Sequence, residues 1–137
     1  MSEVWTASSW LYSTLHGDAT LLALCPGGIH MYPVPSEYSG QYVLYDMQSG
    51  VDIRGNGPGR IGVNSLWLVE AIAETLSYGG NLLAAADRID ALLHAKSGAA
   101  TGGMVWACVR VEPFRLTEVK DGRQFRRLGG QYRIWVQ

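Results

Sequence analysis

The alternation of apolar and polar residues divides the chain into a small set of elements. Between residues 81 and 94, Leu82, Ala86, Ile89 and Leu93 recur at helical spacing, Leu83 and Leu92 widen the stripe, and Asp87, Arg88 and Asp90 lie away from it or at its border. One apolar stripe with period 3.6 predicts a surface helix packed on a sheet. Asn81 is its expected N-cap, Ser97-Gly98 its expected stop, and Lys96 falls in its last turn, where a cation suits the helix dipole. Upstream, residues 5–24 predict a helix whose stripe holds Leu11 and Leu15, with Trp10 and Thr14 beside them. Gly17-Asp18 breaks it. The Asp18 carboxylate can cap a second short turn by accepting from freed backbone N–H groups, and Pro26-Gly27-Gly28 ends that turn.

Period-two stretches supply the strands. Residues 29–32 are short and extended, followed by Pro33 and Pro35, which remove two backbone donors and suit a sheet edge. Residues 41–47 alternate, with Val43, Tyr45 and Met47 on one side and Tyr42 and Leu44 on the other. Residues 63–73 are apolar on both faces, Val63, Trp67 and Val69 opposite Leu66, Leu68 and Ile72, which implies a central strand or one face covered by a partner chain. The last part of this run could instead pass into a helix, since Ala71, Ile72, Ala73 and Leu76 are compatible with one. In residues 104–111, Val105, Ala107, Val109 and Val111 form a face for the helix, and Met104, Trp106, Cys108 and Arg110 form the other. Asp121-Gly122 between extended residues predicts a hairpin turn, with arms near 114–120 and 123–128. A last strand over 131–136 turns Tyr132, Ile134 and Val136 inward and Arg133 and Trp135 outward, so Trp135 is the tryptophan expected to be exposed. Residues 48–62 hold five glycines, Pro58, Arg54 and Arg60 but few apolar side chains, and are expected to form a long mobile loop. The expected architecture is α+β, a mostly antiparallel sheet of about five or six strands with two helical segments packed on one side. Residues 1–137 are expected to form one domain.

Composition changes this picture only in places. The chain's 137 residues, 47% hydrophobic and 17% charged, suit one self-sufficient core. Net charge is -1, which argues against a general polyanion binder. The distribution is uneven: beyond residue 100 there are seven basic residues against three acidic ones. An oriented surface with a basic C-terminal part follows, able to meet an acidic neighbour. Cys25 and Cys108 belong to no CxxC pair and are expected to be reduced structural thiols. No leader or membrane-length apolar run is evident, so assembly in a cytoplasm is expected.

The search for chemistry finds no catalytic constellation. His16, His30 and His94 are each isolated, so neither metal nor cofactor is expected. His16-Gly17-Asp18 has the look of a loop in small thioester hydrolases, but no second carboxylate or oxyanion donor accompanies it. The run from Gly55 to Arg60 lacks the following helix that a phosphate cradle needs, and Pro58 removes a donor. The hairpin arginines Arg123, Arg126 and Arg127 admit three readings: subunit contact, solvated edge, or phosphate contact with Phe125 and Tyr132 stacking on bases. Arg54, Arg60, Arg110, Arg133 and Trp135 complete the candidate interface set.

The segments LYSTL, GDATLLAL, GGIHMYPVP, QYVLYD, DRIDALLH, VWACVRVEPF, the Asp-Gly hairpin and GGQYRIWV occur in an order that resembles the tail completion or tail terminator proteins of tailed bacteriophages. The resemblance spans nearly the whole chain and rests on element order. In that family a polar residue, often histidine, sits in the hairpin arm before the last strand; here Arg126 and Arg127 occupy that neighbourhood. The resemblance implies a virion protein without catalytic activity, located in the tail or neck. It implies a homo-hexameric ring at the head-proximal end of the tail tube that stops tube growth and offers a surface to the head–tail connector. Its partners would be the tail tube protein, the connector, and a sheath protein where the tail is contractile, with DNA only as cargo through the lumen and no membrane. A connector (stopper or adaptor) ring, a nucleic-acid-binding module and a small thioesterase-like enzyme are the alternative expectations.

Overall fold

The computed structural model describes residues 3–33 and 40–137. Pro35 lies outside them. The elements are α1 (Glu3–His16), α2 (Ala19–Leu24), β1 (Ile29–Met31), β2 (Tyr42–Arg54), β3 (Arg60–Glu74), α3 (Asn81–Leu93), β4 (Lys96–Ala100), β5 (Gly103–Lys120) and β6 (Arg123–Val136). The strands form one curled sheet in the order β1-β2-β3-β6-β5-β4. All neighbours are antiparallel except β1 and β2. The fold is thus α+β as expected from the hydrophobic pattern; among the described residues there are six strands and three helices, of which α1 and α3 are substantial.

One face of the sheet carries the core. Val63, Ser65, Trp67, Val69 and Ala71 alternate along β3 toward the helices and are all buried, as period two requires. Trp67, Val69 and Ala71 share one cluster with Val43 and Tyr45 of β2, Tyr132, Ile134 and Val136 of β6, and Leu11, Leu15, Leu21, Leu82, Ile89 and Leu93 of the helices. Each large side chain buried there contributes roughly 1.5–3 kcal/mol. Trp67 Nε1 donates to Ser65 Oγ at 2.8 Å and Ser65 Oγ donates to Ile134 O at 3.1 Å, so the central polar groups are satisfied. On the reverse face Tyr42, Leu44 and Ile72 form a small second cluster, with no helix over it among the described residues.

The break at Gly17-Asp18 is where the sequence places it. Asp18 Oδ2 accepts from Leu21 N at 2.9 Å and caps α2. Arg88 of α3 grips the same carboxylate at 2.6 and 2.8 Å, joining the two helical layers. The end of α3 differs from expectation. Its N-cap is Gly80, at φ 66, with no side-chain cap; Asn81 is instead the first helical residue, and its carbonyl accepts from Gln41 Nε2 at 2.9 Å. The buried stripe is Leu82, Ala85, Ile89 and Leu93; Ala86 is half-buried and Leu83 exposed.

Four strand expectations need correction. Residues 48–54 and 60–62 are paired strand, so the expected loop over 48–62 shrinks to a tip at 55–59. Backbone pairing orders this hairpin where apolar content does not, and Gly62 packs so close to Val136 that a Cβ would lie 2.4 Å from its carbonyl oxygen. Second, the segment Lys96-Ser97-Gly98 is not a helix end but part of β4. Ala95, at φ 61, turns the chain, and Gly98 leaves room for the Trp10 ring. Third, register shifts at Trp106 and Val111 break the alternation of β5. A bulge re-aims the side chains that follow it, so Cys108 joins Val105 in the core while Ala107 and Val109 are half-buried and Val111 is 51% exposed. Fourth, Trp135 is half-buried, and the exposed tryptophans are Trp5 and Trp106. The Asp121-Gly122 turn stands where expected, with both residues at positive φ. Its arms, however, are the continuous strands β5 and β6, without a break at Gly129-Gly130.

Candidate interaction surface

Two long hairpins give the molecule its outline. The β2–β3 hairpin runs past Val63, which pairs with Val136, so residues 53–62 extend beyond that end of β6. The β5–β6 hairpin points the opposite way, with its tip at Asp121-Gly122 beyond the pairing of Glu74 with Phe125.

Most arginines of the basic C-terminal part are engaged within the chain. On the reverse face Arg127 Nε donates to Glu70 Oε1 at 2.8 Å and Nη1 donates to Glu118 Oε1 at 2.6 Å, linking β3, β6 and β5. Arg127 Nη2 also donates to Glu70 Oε1. Glu70 is fully buried. Burial pushes its carboxyl up from the usual value, more than the Arg127 guanidinium brings it down. Among the described residues its Oε2 has no hydrogen-bond partner. Arg123 pairs with Glu74. Arg126 Nη1 donates to Thr75 O and Gln124 Oε1, both at 3.0 Å, with its guanidinium over the Tyr78 ring. Arg133 Nη1 donates to Asn64 Oδ1 at 3.1 Å, and Arg110 lies 3.7 Å from Asp90. Arg60 forms a two-point pair with Glu3 at 3.0 and 3.1 Å, tying the β2–β3 hairpin to the start of α1. Arg54 is exposed at the end of β2. The candidate interface residues therefore fall on both hairpins and the reverse face rather than in one basic patch. Glu70 and Glu118 organise that face, and sequence reasoning missed both. The available signal was a lone acid in the otherwise apolar run LWLVEAIA.

A shallow cleft of about 400 Å³ lies on the same face. Tyr32, Pro33, Tyr42, Leu44 and Ile72 line one side, and Glu118, Lys120, Phe125 and Arg127 the other.

The groups considered for chemistry are committed elsewhere. Asp18 is the α2 cap and the Arg88 partner, and its carboxyl is held below the usual value first by the hydrogen bond from Arg88. Burial pushes the Cys108 thiol up to about 12, with the Asp90 charge adding to the effect, so it is a buried thiol rather than a nucleophile. Cys25 is raised by burial in the same sense. Among the described residues no group of three His, Cys, Asp or Glu side chains could hold a metal ion.

No family model matches the sequence, and no curated protein matches it. Among solved structures, a chain of the virion of a native gene transfer agent particle is similar at 20% identity over 96% of each chain, with a TM-score of 0.76. At that identity the likeness shows a shared fold, end to end.

Proposed function

We propose that this chain is a structural protein of a phage-like virion, and within it a tail terminator. It would form a homo-hexameric ring at the head-proximal end of the tail tube, stop tube polymerisation and present a surface to the head–tail connector. The observation that carries the reading is the fold shared over 96% of the chain with a chain of a gene transfer agent virion. The element order that resembles tail terminators supports it independently. The role requires no chemistry, since binding energy and closed symmetry suffice. The arginines taken up by Glu3, Glu70, Glu74 and Glu118 favour this reading over a nucleic-acid module.

Mass and particle shape in solution test it. The expected result is a six-fold ring by native mass measurement and negative-stain images. In a producing cell, loss of the protein should yield overlong tails without heads. Tails of normal length joined to heads would sink the proposal. Within the ring, the tip at 55–59 faces the tube or the connector. Replacing it with a two-residue turn should leave rings intact and abolish head–tail joining, and joining that survives would remove the tip from that role.

A further inference from the structure

Among the described residues two strand edges of this sheet lie open, at opposite ends of the strand order. β4 pairs with β5 only up to Cys108, and among the described residues no strand follows it along 111–120. β1 pairs with β2 only over 43–45, and none follows it along 46–54.

The backbone direction at each edge can be worked out. Thr75 N donates to Gln124 O, so the backbone groups of Gln124 point toward β3. Its cross-strand partner Val119 must then point away from β6, and by alternation so do Thr117 and Arg115. Pro113, next in that series, has no N–H and ends the run of donors. On the other edge, Val43 N donates to Gly28 O and Tyr45 O accepts from Tyr32 N. Met47 continues this outward series. The register shift at Gln48 then moves it to Gly50 and Asp52. Each edge thus offers three outward residues, 47, 50 and 52 against 119, 117 and 115. The bulge absorbs the extra residue, so the three lie opposite Trp67, Ser65 and Val63 of β3 at the even two-residue steps of 119, 117 and 115.

We propose that residues 46–53 of one copy pair antiparallel with residues 114–120 of the next copy, with Met47 opposite Val119, Gly50 opposite Thr117 and Asp52 opposite Arg115. This rests on the ring reading and names its subunit contact. The side chains carry the argument further than the backbone alone. In this register Asp46 meets Lys120 on the reverse face and Asp52 meets Arg115 on the helix-bearing face, two opposite-charge pairs with matching sidedness. Val51, 66% exposed, meets Leu116, 39% exposed; Ile53 meets Phe114; and Val119, 70% exposed, meets Met47. Glu118, already held by Arg127, faces the uncharged Ser49. No like charges oppose one another. Because the edges are different surfaces at opposite ends of one sheet, the contact is head-to-tail, and it closes into a ring when the rotation from copy to copy divides a full turn.

Cysteine cross-linking tests the register. Val51 and Leu116 form a non-hydrogen-bonded pair in this pairing, the antiparallel position whose Cα separation suits a disulfide. The native Cys25 and Cys108 are buried and do not compete. The Val51→Cys/Leu116→Cys variant should give a covalent ladder ending at the ring size, and the out-of-register Val51→Cys/Lys120→Cys variant should not. Asp52→Arg or Arg115→Asp alone should weaken self-association about tenfold, and the two together should restore it. Rings that form without the 51/116 cross-link overturn the edge pairing and leave the ring reading standing. Cross-linked chains that grow without closing support the pairing and overturn the ring. A monomer at every concentration overturns both, and equal cross-linking by the two pairs overturns the register.

Discussion

Gly129→Ala is the most informative single substitution. Gly129 sits mid-strand in β6 opposite Glu70, and its conformation is ordinary extended backbone. The demand on it is space: a Cβ there would lie 2.1 Å from Val69 O, 2.6 Å from Glu70 Cα and 3.0 Å from Glu70 Cβ. Ordinary contact begins more than an ångström beyond the first of these distances, so β3 and β6 would have to separate. β3 cannot yield easily, because β2 pairs with its other edge and its Glu70 is buried against Arg127. Overpacking of this kind costs about 1–3 kcal/mol, and each ladder hydrogen bond lost adds ~1 kcal/mol. The expected destabilisation is thus about 3 kcal/mol or more. For a chain of 137 residues that lowers the melting temperature by about 10 °C. Calorimetry and urea titration followed by tryptophan fluorescence measure it. Gly57→Ala is the control, since a Cβ there meets nothing within 4 Å, and its effect should stay within about 0.5 kcal/mol. A Gly129→Ala protein that melts within about 2 °C of the parent would refute the close approach of β3 and β6.

Other perturbations probe separate parts of the fold. Leu93 is fully buried on the inner face of α3, so Leu93→Asp should leave no cooperative unfolding transition, and Leu93→Ala should cost about 2–5 kcal/mol; a soluble, cooperatively melting Leu93→Asp protein would contradict this packing. Asp18→Ala removes the α2 cap and the Arg88 pair together and should cost about 1–2 kcal/mol in urea titration. Because the Asp18 carboxyl lies below its usual 3.8, its contribution is present above that pH and lost as pH falls through the lower folded value. Glu70 has the opposite sign. Its folded value lies above the usual 4.5, so its contribution is fully present below pH 4.5 and declines as pH rises through the folded value. Relative to Glu70→Gln, the parent should therefore lose stability as pH is raised from that point, and a difference that grows with pH would overturn the assignment.

Features set by local chemistry were legible in the sequence. Gly17-Asp18 announces a break and a cap because a short carboxylate beside a glycine satisfies freed N–H groups. Asp121-Gly122 announces a turn because both residues tolerate positive φ. The α3 stripe reads directly because three apolar turns have few other uses. What could not be read depends on partners distant in sequence. β4 has no alternation of its own; β5 supplies its order. The arms of the β2–β3 hairpin are glycine-rich and polar, and become strand through their pairing with each other. The bulges of β5 invert which of Ala107 and Cys108 faces the core, and no periodicity announces an extra residue. Gly129-Gly130 has the composition of a break, but here glycine serves close backbone approach.

The candidate interface was legible in kind but not in place. An excess of basic residues beyond residue 100 is a fact of composition, yet the fold brings Glu70, Glu74, Glu118 and Asp90 to Arg127, Arg123 and Arg110. Net charge per segment therefore overstates how basic the surface is, since an arginine paired within the chain offers little to a partner. Among the described residues no ion pair holds Asp46, Asp52 or Lys120, and these lie along the two open edges. An open edge is ordinarily an aggregation hazard that proline, charge and short length must contain. Here Pro113 limits one edge, and the tip at Gly55 and Pro58 limits the other. Between those limits the alternation of outward groups and the sidedness of the charges agree on one register, and a register one residue away turns both charge pairs to opposite faces. Under the proposed pairing, edges left open to a second copy and closed to indiscriminate extension are what a ring of fixed size requires.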